Sequence, residues 1–227
     1  MNKIEEAAEA LKETKHKTTS TRNDLQFPRR FFHMSMGIFI GIIYYSFLSH
    51  QLAVSILGTA ACLVYIFEQV RINYPEHAAS FQIVTKYLLR AEEQLKESAG
   101  MPFVMGLLLT LLSFPKVVAV SAIFTLAIAD PMSAIIGIRF GKNKIVKGKS
   151  LEGSAAFFIC TFLIIILVFG FMYQNDMSLV VLLAVLVALI MSAFEMIPVR
   201  IDDNLTIPIM TGLICWFCAG FLGIQTF

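Results

Sequence analysis

Residues 116–141 read KVVAVSAIFTLAIADPMSAIIGIRFG, and this stretch decides what kind of protein the chain forms. Twenty-two residues lie between Lys116 and Arg139, and Asp130 is the only one that ionises. About 20 apolar residues suffice for a helix to cross the ~30 Å hydrocarbon layer of a bilayer. A surface helix of a soluble domain would show a polar face at every third or fourth position, and none is present. Residues 116–138 therefore read as a membrane span. Asp130 lies nine residues before Arg139, about 13 Å below the basic end of a straight helix. A charge at that depth costs about 2.5–3.5 kcal/mol on insertion scales. Such a residue faces the bundle interior and touches a substrate, an ion or a partner charge. Pro131 follows it and lacks the N–H that a helix interior needs, so the spacing predicts a break or kink lining a cavity.

The rest of the chain has the same character. Of 227 residues, 57% are hydrophobic and 15% charged, with a mean hydropathy of +0.75. This excludes a water-soluble globule, a disordered chain and a disulfide-stapled secreted module. Further spans are expected near 31–49, 52–69, 101–114, 153–173, 178–197 and 205–224. The run 101–114 is short, but without it the next span enters from the wrong side. Continuous apolar runs predict helices, because a barrel needs alternating strands of about ten residues. The expected fold is an all-α polytopic membrane bundle of about seven helices. A polar tail, residues 1–28, precedes a single transmembrane catalytic domain, residues 29–227. The tail reads as cytosolic rather than as a secretory signal, because its first apolar run starts only at Phe31. Between 71 and 100, Phe81, Val84, Leu88, Ala91 and Leu95 recur at helical spacing among charged residues, which predicts an amphipathic interfacial helix.

Charge placement sets the orientation. With the N-terminus in the cytosol and seven alternating spans, seventeen of the eighteen Lys/Arg fall on cytosolic segments and Lys116 alone falls outside. That asymmetry follows the positive-inside pattern and puts the C-terminus on the far side. Glu68, Asp130, Glu195, Asp202 and Asp203 also sit at or just inside cytosolic span ends, and only Asp176 lies outside.

The polar residues at this face fall into groups. Arg29, Arg30 and His33 open the first span. The two arginines read as an ordinary basic flank, while His33 is one turn inside and a candidate for function. Glu68 and Arg71, three apart, read either as a helix-end pair or as part of a site. Arg139, Lys142, Lys144, Lys147 and Lys149 crowd one loop, interleaved with Gly137, Gly141 and Gly148. Basic loops orient a span and meet anionic headgroups. Lysines and glycines ahead of a helix start also suit a phosphate. Residues 143–150 nearly spell a P-loop, which is rejected because no strand of an α/β domain precedes it. Asp202, Asp203, Asn204 and Thr206 offer hard oxygens suited to Mg²⁺, or cap the last span. Cys62, Cys160, Cys215 and Cys218 lie in spans and read as core residues rather than zinc ligands.

Carboxylates for Mg²⁺, cations for phosphates and a bundle open to lipid converge on one leaflet. That set suits phosphoryl or nucleotidyl transfer to a lipid. A channel or transporter would carry polar residues through several spans to both sides.

Four stretches carry a family resemblance. Arg29-Arg30-Phe31-Phe32-His33 resembles an R-K-x-x-H opening. Ala129 to Gly137 resembles G-D-x-x-A-x-x-x-G, with Ala129 at the first glycine and Pro131 added. Gly141-Lys142 through Lys149-Ser150-Leu151-Glu152-Gly153-Ser154 resembles G-K-x-K…K-S/T-x-E-G-S. Glu195 with Asp203-Asn204-Leu205-Thr206-Ile207-Pro208 resembles E…D-N-L-T-I-P. Together they resemble the CTP-dependent lipid-alcohol kinases, acting on dolichol, phytol or diacylglycerol, with kinship to phosphatidate cytidylyltransferases. The resemblance implies γ-phosphate transfer from CTP to a membrane lipid alcohol in the bilayer, with Mg²⁺ and with no nucleic-acid partner. Diacylglycerol, polyprenols and phytol all present a hydroxyl on an apolar tail, and all fit. It implies catalytic roles for Asp130, Glu152 and His33. Lys142, Lys144, Lys149, Ser150, Gly153, Asn204 and Thr206 would bind the nucleotide, and Asp130, Asp203 and Glu195 the metal. Nucleotidyl transfer and a non-enzymatic transporter are the alternatives.

Overall fold

A computed structural model describes residues 27–74, 100–146, 149–173, 175–199 and 201–226, with side chains from Arg30 onward. Residues 1–26 of the tail and 75–99 of the expected amphipathic segment lie outside the described residues, and the last two tail positions, Phe27 and Pro28, belong to the first helix. Seven helical rods run through the rest: α1 (Phe27–Phe47), α2 (His50–Asn73), α3 (Gly100–Ser113), α4 (Lys116–Phe140), α5 (Leu151–Met172), α6 (Met177–Met196) and α7 (Asp203–Phe221). Five of them, α2 and α4 to α7, are long and apolar enough to cross a membrane. The 14 residues of α3 rise only about 21 Å. In α1 the basic opening dilutes the apolar run. The architecture is an all-α membrane bundle.

Local chemistry sets the ends of the rods. Ser49, Ser150, Asp176 and Asp202 each accept a backbone N–H of the helix that follows, satisfying donors that a first turn leaves bare. The Ser178 hydroxyl and N–H hold the Asp176 carboxyl below the usual carboxylate range.

The central rod is α4, and residues 117–124 on it are all buried. It packs against α1, α3, α5 and α7. The expected break at Pro131 does not occur. The helix instead widens into a π-helical turn over Thr125–Ala129, where the Asp130 N–H reaches back five residues to the Thr125 carbonyl. A proline ring crowds the carbonyl four residues before it, and the wider turn relieves that crowding without ending the rod.

Against this turn α1 lies unusually close. A Cβ at Gly37 would sit 2.6 Å from Ala127 Cβ and 3.3 Å from its Cα. One at Gly41 would sit 2.5 Å from the Phe124 ring. Small residues permit such approach between membrane helices. Gly37→Leu should lower stability by about 1–3 kcal/mol, because the backbone it meets cannot yield. Thermal unfolding in detergent reads this, and an unchanged midpoint would show that α1 packs elsewhere.

At the other end of the bundle, Lys116 Nζ donates to the Leu48 carbonyl at 2.9 Å and lies 5.3 Å from the Tyr44 ring centroid. Tyr44 is buried and its hydroxyl meets His50 Nδ1 at 2.8 Å. The one basic residue expected outside thus ties the α1–α2 corner to the start of α4.

Candidate active site

The site begins with glycine. Near their loop-side ends α4 and α5 approach so closely that a Cβ on Gly153 would lie 2.9 Å from the Ser133 carbonyl and 3.2 Å from Gly137 Cα. A Cβ on Gly141 would run into the Gly137 carbonyl and the Ser150 hydroxyl. Glycine here is a matter of volume. Any side chain would push the rods apart and carry Asp130 and Ser133 away from α5.

The basic loop between them has regular structure of its own. It folds into a short antiparallel ribbon, β1 (Lys144–Val146) and β2 (Lys149–Ser150), pairing Lys144 with Ser150 and Val146 with Lys149. Lys147 and Gly148 are outside the described residues. Glu152 anchors the ribbon, accepting from the Asn143 N–H at 3.2 Å and from Asn143 Nδ2 at 3.1 Å. Leu151 N–H donates to the Asn143 carbonyl at 2.9 Å. Glu152, at this spacing, holds the loop to the start of α5.

That anchoring delivers Lys149. Its ammonium forms an ion pair with Glu195 of α6 and lies 4.0 Å from Asp203 Oδ2 at the start of α7. Glu195 is 6% exposed. Asp203 is 36% and Lys149 25% exposed by side chain, so the pair opens outward through them. Asp130, half-buried, feels the charges of Asp203, Lys149, Glu195 and Arg30. Three carboxylates and two cations thus act on one another at this end of the bundle, an arrangement that favours a further cation there.

The expected site residues are therefore partly assembled. Asp130, Lys149, Glu195 and Asp203 converge, with Ser150 and Gly153 beneath them as the cap and first turn of α5. Asn204 and Thr206 follow Asp203 in the first turn of α7, and the Thr206 hydroxyl is turned to the Asp202 carbonyl at 3.3 Å. His33 packs edge-on against Phe103 of α3, ring centroids 4.5 Å apart. Lys142 and Lys144 are exposed along the ribbon. Glu195, expected among the metal ligands, has Lys149 on one of its oxygens. Glu68 and Arg71 pair at 2.6 Å with both side chains nearly buried, on α2.

Three contributors escaped the sequence reading. Arg30, taken as a plain basic flank, bears on Asp130. Ser133 lies one helical turn after Asp130, and Ser154 one turn after Ser150. That spacing was the available signal that both share the site's face.

Among the described residues, no group of three His, Cys, Asp or Glu side chains gathers closely enough to enclose a metal alone. Mg²⁺ does not require such a cage, since it is commonly held by one or two carboxylates, waters and substrate phosphates. Asp130 and Asp203 fit that mode.

No protein-family model matches the chain, and no solved structure matches it. Curated proteins do match. An uncharacterized protein of Methanocaldococcus jannaschii is 30% identical over 194 residues, 82% of this chain and 90% of the relative. An uncharacterized protein of Rickettsia prowazekii is 28% identical over 193 residues, 82% of this chain and 91% of the relative. The CTP-dependent diacylglycerol kinase 1 of Saccharomyces cerevisiae is 24% identical over 209 residues, 83% of this chain and 71% of the relative. The chain belongs to the CTP-dependent lipid kinase family. For a CTP-dependent lipid kinase the placement is apt. The only polar cluster that joins α4, α5, α6 and α7 lies, among the described residues, at the ends of apolar rods, where a lipid's polar head would reach it.

Proposed function

We propose that this protein transfers the γ-phosphate of CTP to the hydroxyl of a membrane lipid alcohol, of diacylglycerol or polyprenol type, at the cytosolic face. The observation that carries the reading is the convergence of Asp130, Lys149 and Asp203 at one end of an apolar bundle. Asp130 and Asp203 would hold Mg²⁺ brought with the nucleotide. The metal would neutralise charge on the transferred phosphoryl group. Lys149, flanked by Glu195 and Asp203, presents its ammonium to the triphosphate. Ser150 and Gly153 shape the start of α5, whose N-terminus favours an anion. Lys142 and Lys144 raise the local positive potential from the exposed ribbon and draw the nucleotide in. His33 and Arg30 stand on α1 beside the path of the lipid head. Glu152 keeps the ribbon in place, and Asn204 and Thr206 complete the rim after Asp203. The arrangement favours phosphoryl transfer because its groups position and neutralise without supplying a covalent nucleophile.

The test is purified protein with CTP labelled on the γ-phosphate and a panel of lipid alcohols. Label in the lipid with release of CDP is the expected result. Release of pyrophosphate and a cytidylated lipid would replace this reading with nucleotidyl transfer. No turnover of any nucleotide would point to a transporter or lipid-binding protein.

A further inference from the structure

The Glu195 carboxylate collects donors from three elements other than its own. Lys149 of β2 meets Oε1. Ser154 of α5 donates to Oε2 at 3.4 Å. Ser133 of α4 lies 3.5 Å from Oε1, and the same hydroxyl is 3.0 Å from the Asp130 carbonyl. Ser133 has one proton to divide between these acceptors. Ser154 gives its proton to Glu195. All three residues are nearly buried: Ser133 is 4%, Ser154 5% and Glu195 6% exposed. Lys149 alone among them reaches outward, with Asp203 on its far side.

A buried carboxylate held at one oxygen only is free to turn about its last bond, and its partner ammonium would follow. A hydroxyl on the second oxygen removes that freedom. We infer that Ser154, supported by Ser133, is a positioning residue that orients Glu195 and so fixes where the Lys149 ammonium stands. What Lys149 meets there rests on the CTP reading of the site, whereas the clamp on Glu195 does not. A hydroxyl that merely joined α5 to α6 would change stability and leave Lys149 as it was.

The experiment uses the full chain in detergent with two readouts. One is CTP kinetics. The other, independent of turnover, is the rate at which an amine-acylating reagent modifies Lys149, followed by mass spectrometry across pH. Ser154→Ala should raise the KM for CTP roughly three- to tenfold with kcat within about twofold, the size of one long bond to a charged group. Lys149 should acylate faster by a similar factor at neutral pH. In a Glu195→Gln background, Ser154→Ala should add nothing further, because the clamp has already lost its object. A Ser154→Ala protein with a lower unfolding temperature but unchanged KM and acylation would overturn the inference. So would full additivity with Glu195→Gln. Should wild type show no CTP turnover, the kinase reading fails and the acylation rates still decide the clamp. Should Ser154→Ala not fold, Ser133→Ala takes its place, with a shift of roughly two- to threefold in the same direction.

Discussion

Asp130→Asn should abolish lipid phosphorylation while the protein still folds and inserts. The substitution keeps shape and removes one charge. Asp130 stands on α4, whose residues 117–124 are all buried and hold their place without it. Asp203 and Glu195 repel a carboxylate there while Lys149 and Arg30 attract it, so neutralising it leaves the fold little changed. Stability should stay level or rise, by no more than the ~2.5–3.5 kcal/mol that a buried charge costs at that depth. Catalysis has the opposite dependence, because the amide neither balances Mg²⁺ nor aligns the acceptor hydroxyl. A loss on the order of 10³-fold in kcat/KM is expected, at the level seen when one preorganised electrostatic group is removed. Lipid phosphorylation together with detergent unfolding measures both. An Asp130→Asn variant that retained transfer would remove this residue from the reaction.

The second large effect concerns Lys149. Lys149→Ala strands the Glu195 carboxylate in a nearly closed setting, with two long hydroxyl contacts for company. Removing one partner of a buried pair costs about 3–5 kcal/mol. The lower end applies here, since Lys149 is one quarter exposed. The same change removes a cation from the nucleotide and should raise the KM for CTP about tenfold or more. The two losses separate in the double variant Lys149→Ala with Glu195→Gln. Its stability should return towards wild type, because no buried charge is left alone, and its KM should stay high. Unfolding midpoints and initial rates against CTP provide the check. An unchanged KM in Lys149→Ala would take this residue out of the nucleotide site.

Much of this architecture was legible before any coordinates. Apolar runs as long as a bilayer is thick leave few alternatives, and each predicted span has its rod within a few residues. The acidic and basic groups at one end were legible for the same reason: ionisable residues are so rare in such runs that each one stands out. What escaped was everything that depends on which faces meet. Glu195 and Lys149 are 46 positions apart, and no spacing rule links a loop to the end of a later helix. Two strands of three and two residues are too short to show alternation, so the ribbon looked like charge alone. The wide turn before Asp130 was hidden because four of its five residues are apolar and the fifth, Thr125, spends its hydroxyl on its own helix. A helical period cannot be read where no side is polar. The serines were passed over because hydroxyls are common in spans, where they bond their own helix, as Ser121 and Thr110 do here.

That wide turn has one more consequence. It slips one residue into the winding of α4, and each residue advances a helix by about 100°. The two halves of the rod are therefore indexed independently. The far half can keep whatever phase its packing against α1, α3 and α7 demands, and the near half can aim Asp130 and Ser133 by a separate choice. Deleting a single residue between 125 and 129 would turn the near half by about a quarter of a revolution and swing both side chains off target, with the buried half undisturbed. A fixed hydrophobic anchor and an adjustable pointer share one continuous piece of backbone.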